Sequence, residues 1–187
     1  MPTCLIDAAA EAASFSVAGM QRGWSSAGPG KPLDTILNHR VLNPLVIVDE
    51  VEKAGAVRDT AGTRQNLTEA LLALLEPISA ARWECPFYRV PVDMSGIGWI
   101  MTANSRRGLP EPLLSRCPPL VLPPLTLSDL LGVAQREGAA RGLTALAQDA
   151  FFEALQHHRD RTSALSLRVV QRMLDRAGQL ERRRILN

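Results

Sequence analysis

Several things are scarce in this sequence, and each scarcity removes a class of function. Lysine is confined to Lys31 and Lys53, so almost all positive charge is arginine, which offers planar bidentate forks where lysine offers a point charge. A formal net charge of +2 and a pI near 8.6 are too mild to indicate nucleic acid or a membrane surface as a partner. Cys4, Cys85 and Cys117 are odd in number and widely spaced, with no CxxC pair and no nearby histidine to complete a zinc site. A reducing cytoplasm is the expected compartment. Aromatic residues make up 4%, and Trp24, Trp83 and Trp99 are too scattered to form a stacking platform for bases. The opening MPTCLIDAAAEAASF has no basic region and only a short apolar patch, so neither a secretory signal nor a membrane span is expected. Internal repeats and low-complexity tracts are likewise missing.

What remains is 187 residues with 46% hydrophobic and 21% charged content, enough for one core with a small appended domain. The run SSAGPGKP, residues 25–32, invites comparison with a phosphate-binding loop, which needs GxxxxGK followed by Ser or Thr. Ser25 stands where the first glycine belongs, and Pro32 stands where the hydroxyl residue belongs. The proline also disfavours a helix starting at that point, so the run reads as a loop, with a short helix only from Leu33 to Arg40.

Thr3 to Ala10 reads as a strand, and LVIV, Leu45 to Val48, as a strand apolar on both faces and therefore covered on both, as in a parallel sheet between helices. NLTEALLALLE reads as a helix with a capping-box-like start at Asn66 and Glu69, an apolar face of Leu67, Leu71, Leu74 and Leu75, and a stop at Pro77. GWIMTAN, Gly98 to Asn104, reads as a second buried strand, LPEPLLSR as a short helix, and PLVLPPL, Pro119 to Leu125, as a last strand closed by prolines. Strands alternating with helices predict an α/β layered domain. From Thr126 onward three helix-period segments follow, opened by a capping box of Thr126 and Asp129. The boundary is set at 1–122 for the α/β part and 123–187 for a helical domain.

The chemistry concentrates in PLVIVDEVEK. A strand ending in Asp49-Glu50 puts two carboxylates at the carboxyl edge of a parallel sheet, where ligands of open α/β folds sit. In a nucleotide hydrolase such an aspartate helps hold Mg²⁺ through water, and the adjoining glutamate polarises the attacking water. Alone, the pattern equally describes a strand ending in solvated acids. Asn104 ends the neighbouring strand and can touch the same water. Arg116 in PLLSRC is placed to reach a neighbouring subunit's phosphates, although by itself it reads as a surface arginine.

Taken in order, NPLVIVDEVEKAG, GWIMTAN and LPEPLLSRC, followed by a helical tail and preceded by AGMQRGWSSAGPGK, resemble the AAA+ ATPase module of the Lon protease type over nearly the whole chain. The resemblance implies a P-loop NTPase-like parallel sheet with an α-helical lid, ATP and Mg²⁺ as cofactors, and a hexameric ring of like subunits or paralogues acting on protein substrates. It assigns Asp49 and Glu50 to Walker B, with Asp49 supporting Mg²⁺, Asn104 to sensor 1, and Arg116 to the arginine finger. Arg168 of SALSLRVV looks like sensor 2, with Arg161 and Arg172 as nearby alternatives.

The departure from the family concerns the phosphate cradle. Members carry a first strand, a Walker A loop and its helix ahead of the segment that opens this chain, so the resemblance implies an N-terminally truncated module. Its sheet would keep open edges beside the strand ending at Asn104 and the one near Val121. No Ser/Lys dyad is present for a peptidase half. Two other readings stand beside the enzyme: an assembly subunit that lends Arg116 to a neighbour, and a gene remnant.

Overall fold

The apolar run LVIVD becomes the middle strand of a three-stranded parallel sheet. The structure is a computed structural model and describes residues 1–9, 13–24, 27–55, 67–157 and 166–185. It divides into two units, Met1–Leu120 and Val121–Asn187.

In the first unit the order is β1 (Thr3–Asp7), α1 (Ala13–Ala18), β2 (Gly19–Met20), β3 (Gly28–Pro29), α2 (Lys31–His39) and β4 (Leu45–Asp49). A 3-10 turn (Val51–Gly55) leads on to α3 (Leu67–Leu75), α4 (Pro77–Ala80), β5 (Trp83–Glu84), β6 (Pro91–Val92), β7 (Gly98–Met101) and α5 (Glu111–Arg116). The main sheet runs β1-β4-β7, all parallel, with Leu5 opposite Ile47 and Ile47 opposite Ile100. Flanking helices complete the expected α/β architecture.

Alternation along the strands decides which side of the sheet is dry. Cys4, Ile6, Val46 and Val48 are buried in one core with Val17, Leu33, Ile36, Leu67, Leu71 and Leu74. The opposite side departs from the expected double covering: Leu5 is 61% and Ile100 48% exposed, and Ile47 is half-buried. An unbroken apolar run therefore marks a strand here without marking two covered faces. GWIMTAN departs in the same way. Its strand stops at Met101, lies at an edge of the sheet among the described residues, and is only partly buried.

The loop reading of residues 25–32 needs correction at its end, because α2 begins at Lys31. Gly30 is the extended N-cap, and Pro32 sits in the first turn, where its missing N–H has no helical partner to lose. Gly19 and Gly30 serve chain packing. Gly19 has φ +81°, and a Cβ on Gly30 would overlap the Val17 carbonyl oxygen. Ser25 and Ser26 lie outside the described residues, as does Asn66 of the expected cap on α3. Leu67, Leu71 and Leu74 are buried along α3 as their spacing predicts, and Pro77, which ends the periodic run, opens α4.

The second unit holds α6 (Leu127–Ala140), α7 (Ala145–His157) and α8 (Leu167–Ile185), built around Leu130, Ala134, Leu143, Phe151, Val170 and Leu174. The Thr126 cap forms as predicted: its Oγ1 accepts from the Asp129 N–H at 3.2 Å, and Asp129 Oδ2 accepts from the Thr126 N–H at 2.8 Å. PLVLPPL is not a strand. Residues 118–126 form no regular element, and Leu120, Val121 and Leu122 are exposed. Proline supplies no N–H to a ladder, and hydrophobicity without a paired edge does not make a strand. No helix among the described residues is long and apolar enough to cross a membrane.

Candidate functional site

The site grows from the way β4 ends. Parallel pairing carries β1, β4 and β7 to the same edge, where Asp7 lies opposite Asp49. One residue beyond the strand, Glu50 adopts a left-handed backbone with φ 54°, a conformation that costs a non-glycine residue and persists only where its surroundings hold it. Those surroundings are Thr102. Its N–H donates to Val48 O at 2.9 Å and its carbonyl accepts from Val51 N–H at 3.0 Å. Its Oγ1 accepts from Glu50 N–H at 3.2 Å and donates to Asp49 Oδ1.

Around this hinge the acids and the amide converge. Asn104 Nδ2 donates to Glu50 Oε1 at 3.4 Å and to Glu52 Oε1 at 3.1 Å, and the Asn104 backbone N–H donates to the same Glu52 oxygen at 3.1 Å. The other Glu50 oxygen is paired with Lys53 Nζ at 2.5 Å. That hydrogen bond, with the neighbouring acids, raises the Lys53 ammonium above its ordinary range against the opposing effect of burial. At Glu52 burial acts to raise the carboxyl. Hydrogen bonds from its own N–H and from Asn104, with the Lys53 charge, outweigh burial and hold Glu52 below the ordinary glutamate range. Glu52 Oε2 is buried and has no hydrogen-bond partner among the described residues.

Three of the five residues singled out from the sequence therefore lie together. Asp49, Glu50 and Asn104 share one edge of the sheet, joined through Thr102 and the Asn104 amide. Arg116, the last residue of α5, is engaged elsewhere: Nε and Nη2 bond Glu76 Oε2 at 3.2 and 3.1 Å, and Nη1 donates to Pro112 O at 3.1 Å. Arg168 is exposed near the start of α8, where its carbonyl accepts from Arg172 Nε at 3.4 Å. Arg161 lies outside the described residues.

Sequence reasoning missed Thr102 and Glu52. Each had a local signal: Thr102 follows the last paired residue of β7 and so comes level with the end of β4, and Glu52 is the third acid of DEVEK.

No protein-family model matches the chain. Among curated proteins it is 30% identical over 133 residues to Lon protease 2 of Sorangium cellulosum, a match covering 68% of this chain and 16% of that protein. The mitochondrial Lon protease homolog of Bos taurus is 34% identical over 131 residues, covering 65% of this chain and 13% of the homolog. The mitochondrial homolog of Aspergillus niger is 32% identical over 132 residues, covering 70% and 11%. The chain thus spans between 11% and 16% of the length of these relatives. A parallel sheet flanked by helices, with an Asp-Glu pair at its carboxyl edge and 30–34% identity to Lon proteases, identifies the chain as a Lon-type AAA+ domain.

Proposed function

We propose that this chain is the distal part of an ATP-hydrolysing motor module that works on protein substrates within a hexameric ring of like subunits. The single observation carrying the reading is the meeting of Asn104 with Glu50, 54 positions apart, beyond the carboxyl ends of adjacent parallel strands. In this reading Glu50 accepts the proton of a water attacking the terminal phosphoryl group, whose bond to ADP breaks as the new bond forms. Asn104 orients that water. Arg116 acts at a neighbour's site after leaving Glu76, and residues 123–187 act as the lid, with Arg168 directed at the terminal phosphates.

The fit to Mg²⁺ and to the nucleotide differs. Among the described residues no group of three or more His, Cys, Asp or Glu side chains could hold a metal ion. That donor set suits an ion carried largely by phosphates and water, with Asp49 in support, because Mg²⁺ dehydrates reluctantly and rarely takes an all-protein cage. Such an ion would supply neutralisation of phosphate charge. The phosphate cradle itself does not fit residues 25–32, where Gly30 packs against the Val17 carbonyl and Lys31 is followed by Pro32. A strand–GxxxxGK[ST]–helix segment outside these 187 residues would find the β1 and β7 edges, which have no further strand partner among the described residues, and the partly exposed sheet face at Leu5 and Ile100. The three cysteines, without zinc-site spacing, fit a reducing cytoplasm.

Binding of a fluorescent ATP analogue and turnover of MgATP test the reading. The chain alone is expected to bind and hydrolyse negligibly. Fused behind a strand–Walker A–helix segment from a Lon relative, it is expected to turn over ATP in a manner abolished by Glu50→Gln. A soluble, folded fusion without turnover would sink the motor reading, and turnover by the 187-residue chain alone would refute its dependence on an added cradle.

A second reading starts from the place of Arg116 at the end of α5, where a half-exposed pair with Glu76 is its ion-pair contact among the described residues. A subunit lending that arginine would need no nucleotide of its own. Mixed with a complete Lon-type paralogue, such a chain should change the paralogue's ATPase, and Arg116→Ala should remove the change.

A further inference from the structure

We infer that Glu52 is the positioning residue for Asn104, fixing which end of its amide faces a water held by Glu50. The inference rests on the motor reading for the identity of that water, and it extends the reading to a side chain with no assigned role. One Glu52 oxygen, Oε1, accepts from both the backbone N–H and Nδ2 of Asn104, each at 3.1 Å. The remaining hydrogen of Nδ2 is directed to Glu50 Oε1 at 3.4 Å. A carboxylate can only accept, so two carboxylates side by side demand the NH₂ end of the amide. Asn104 Oδ1 is thereby left as an acceptor that neither carboxylate engages. A water between Glu50 and Oδ1 can then give one hydrogen to each and aim its lone pair outward.

Glu52 has features that a purely structural acid lacks. Its second oxygen is buried with no partner among the described residues, a cost a solvated side chain would avoid. Its carboxylate lies among groups that keep it charged, which removes the O–H that could accommodate an inverted amide. An anion leaves Asn104 no alternative, whereas a glutamine offers one even though its oxygen could accept the same two bonds. Gln at this position would carry its own NH₂, could donate to Asn104 Oδ1, and would allow the amide to turn over.

The first test reads the amide directly, in the 187-residue chain labelled with ¹⁵N. In the wild-type protein the Asn104 backbone N–H and its side-chain NH₂ pair should resonate away from free-amide positions. Glu52→Gln should move all three toward those positions, and Glu52→Asp, which keeps the anion, should retain much of the displacement. Unmoved Asn104 resonances in a folded Glu52→Gln protein overturn the inference.

The second test uses the Walker A fusion. Glu52→Gln should lower kcat roughly 10²-fold with KM for ATP unchanged, as a misplaced reacting group does, and Glu52→Asp should recover most of the loss. A raised KM with kcat unchanged, or no change in either, also overturns it. If the wild-type fusion does not turn over at all, the motor reading fails, and the Asn104 resonances alone decide whether Glu52 holds the amide.

Discussion

Thr102 illustrates how one small side chain organises a sheet edge. Its hydroxyl accepts from the Glu50 N–H and donates to Asp49, so the strained turn after β4 is held from the neighbouring strand. Thr102→Val keeps the shape and loses both bonds, and is expected to destabilise the α/β unit by about 1 kcal/mol in a denaturant titration, with Thr102→Ser near wild type. At Glu52 the folded carboxyl lies below its ordinary value of 4.5, so the stability it contributes is present above that value and is lost as pH falls through the lower, folded value. Glu52→Gln should therefore flatten the acid limb of the stability curve below about pH 4.5. Cysteines offer an independent check on burial. Burial raises the half-buried Cys117 thiol above its usual range, so iodoacetamide should modify it slowly at neutral pH and faster as pH rises. Cys85, fully buried, should react only on unfolding. The Asp49-Glu50 pair was legible in the sequence because it is a local pattern on one strand. The Glu76 partner of Arg116 was not, because nothing in PLLSRC points to an acid 40 positions away.

Among the elements, α3 is highly legible in the sequence, since its buried leucines recur at helical spacing and a proline marks its end. Leu71, with no exposed surface, anchors that face, and Leu71→Ala should cost about 2–5 kcal/mol by chemical unfolding. The start of α2 shows the opposite case. A proline after Lys31 looked like a barrier, yet in the first turn its fixed φ favours the helix, and the glycine before it is required by the nearby Val17 carbonyl. Gly30→Ala should thus destabilise the first unit although its backbone angles suit alanine. In the helical unit the reciprocal cap of Thr126 and Asp129 was visible as TLSD, and Thr126→Ala should weaken that unit by about 1 kcal/mol. PLVLPPL misled because strand identity belongs to the pair of strands, and a single sequence does not disclose whether an edge is available.

At the scale of the whole molecule, two compact units with separate cores make up a chain that matches relatives many times its length. The uncovered sheet face at Leu5 and Ile100 should bind a hydrophobic dye and promote self-association, which Ile100→Lys should reduce in light scattering. The double-sided covering expected from LVIV is met only in part, with Val46 and Val48 buried and Ile47 half-buried, because periodicity reports what a strand could bury and only the surrounding chain determines what it does bury. The Arg116–Glu76 pair has a consequence for the proposed assembly. A half-exposed ion pair of this kind is worth about 0–1 kcal/mol and is screened by salt, so it is a catch that lifts easily. Moderate ionic strength would unfasten the guanidinium from its own subunit while also dulling its attraction to a neighbour's anion. Any assembly built on that arginine should accordingly peak at an intermediate salt concentration and fall away on either side.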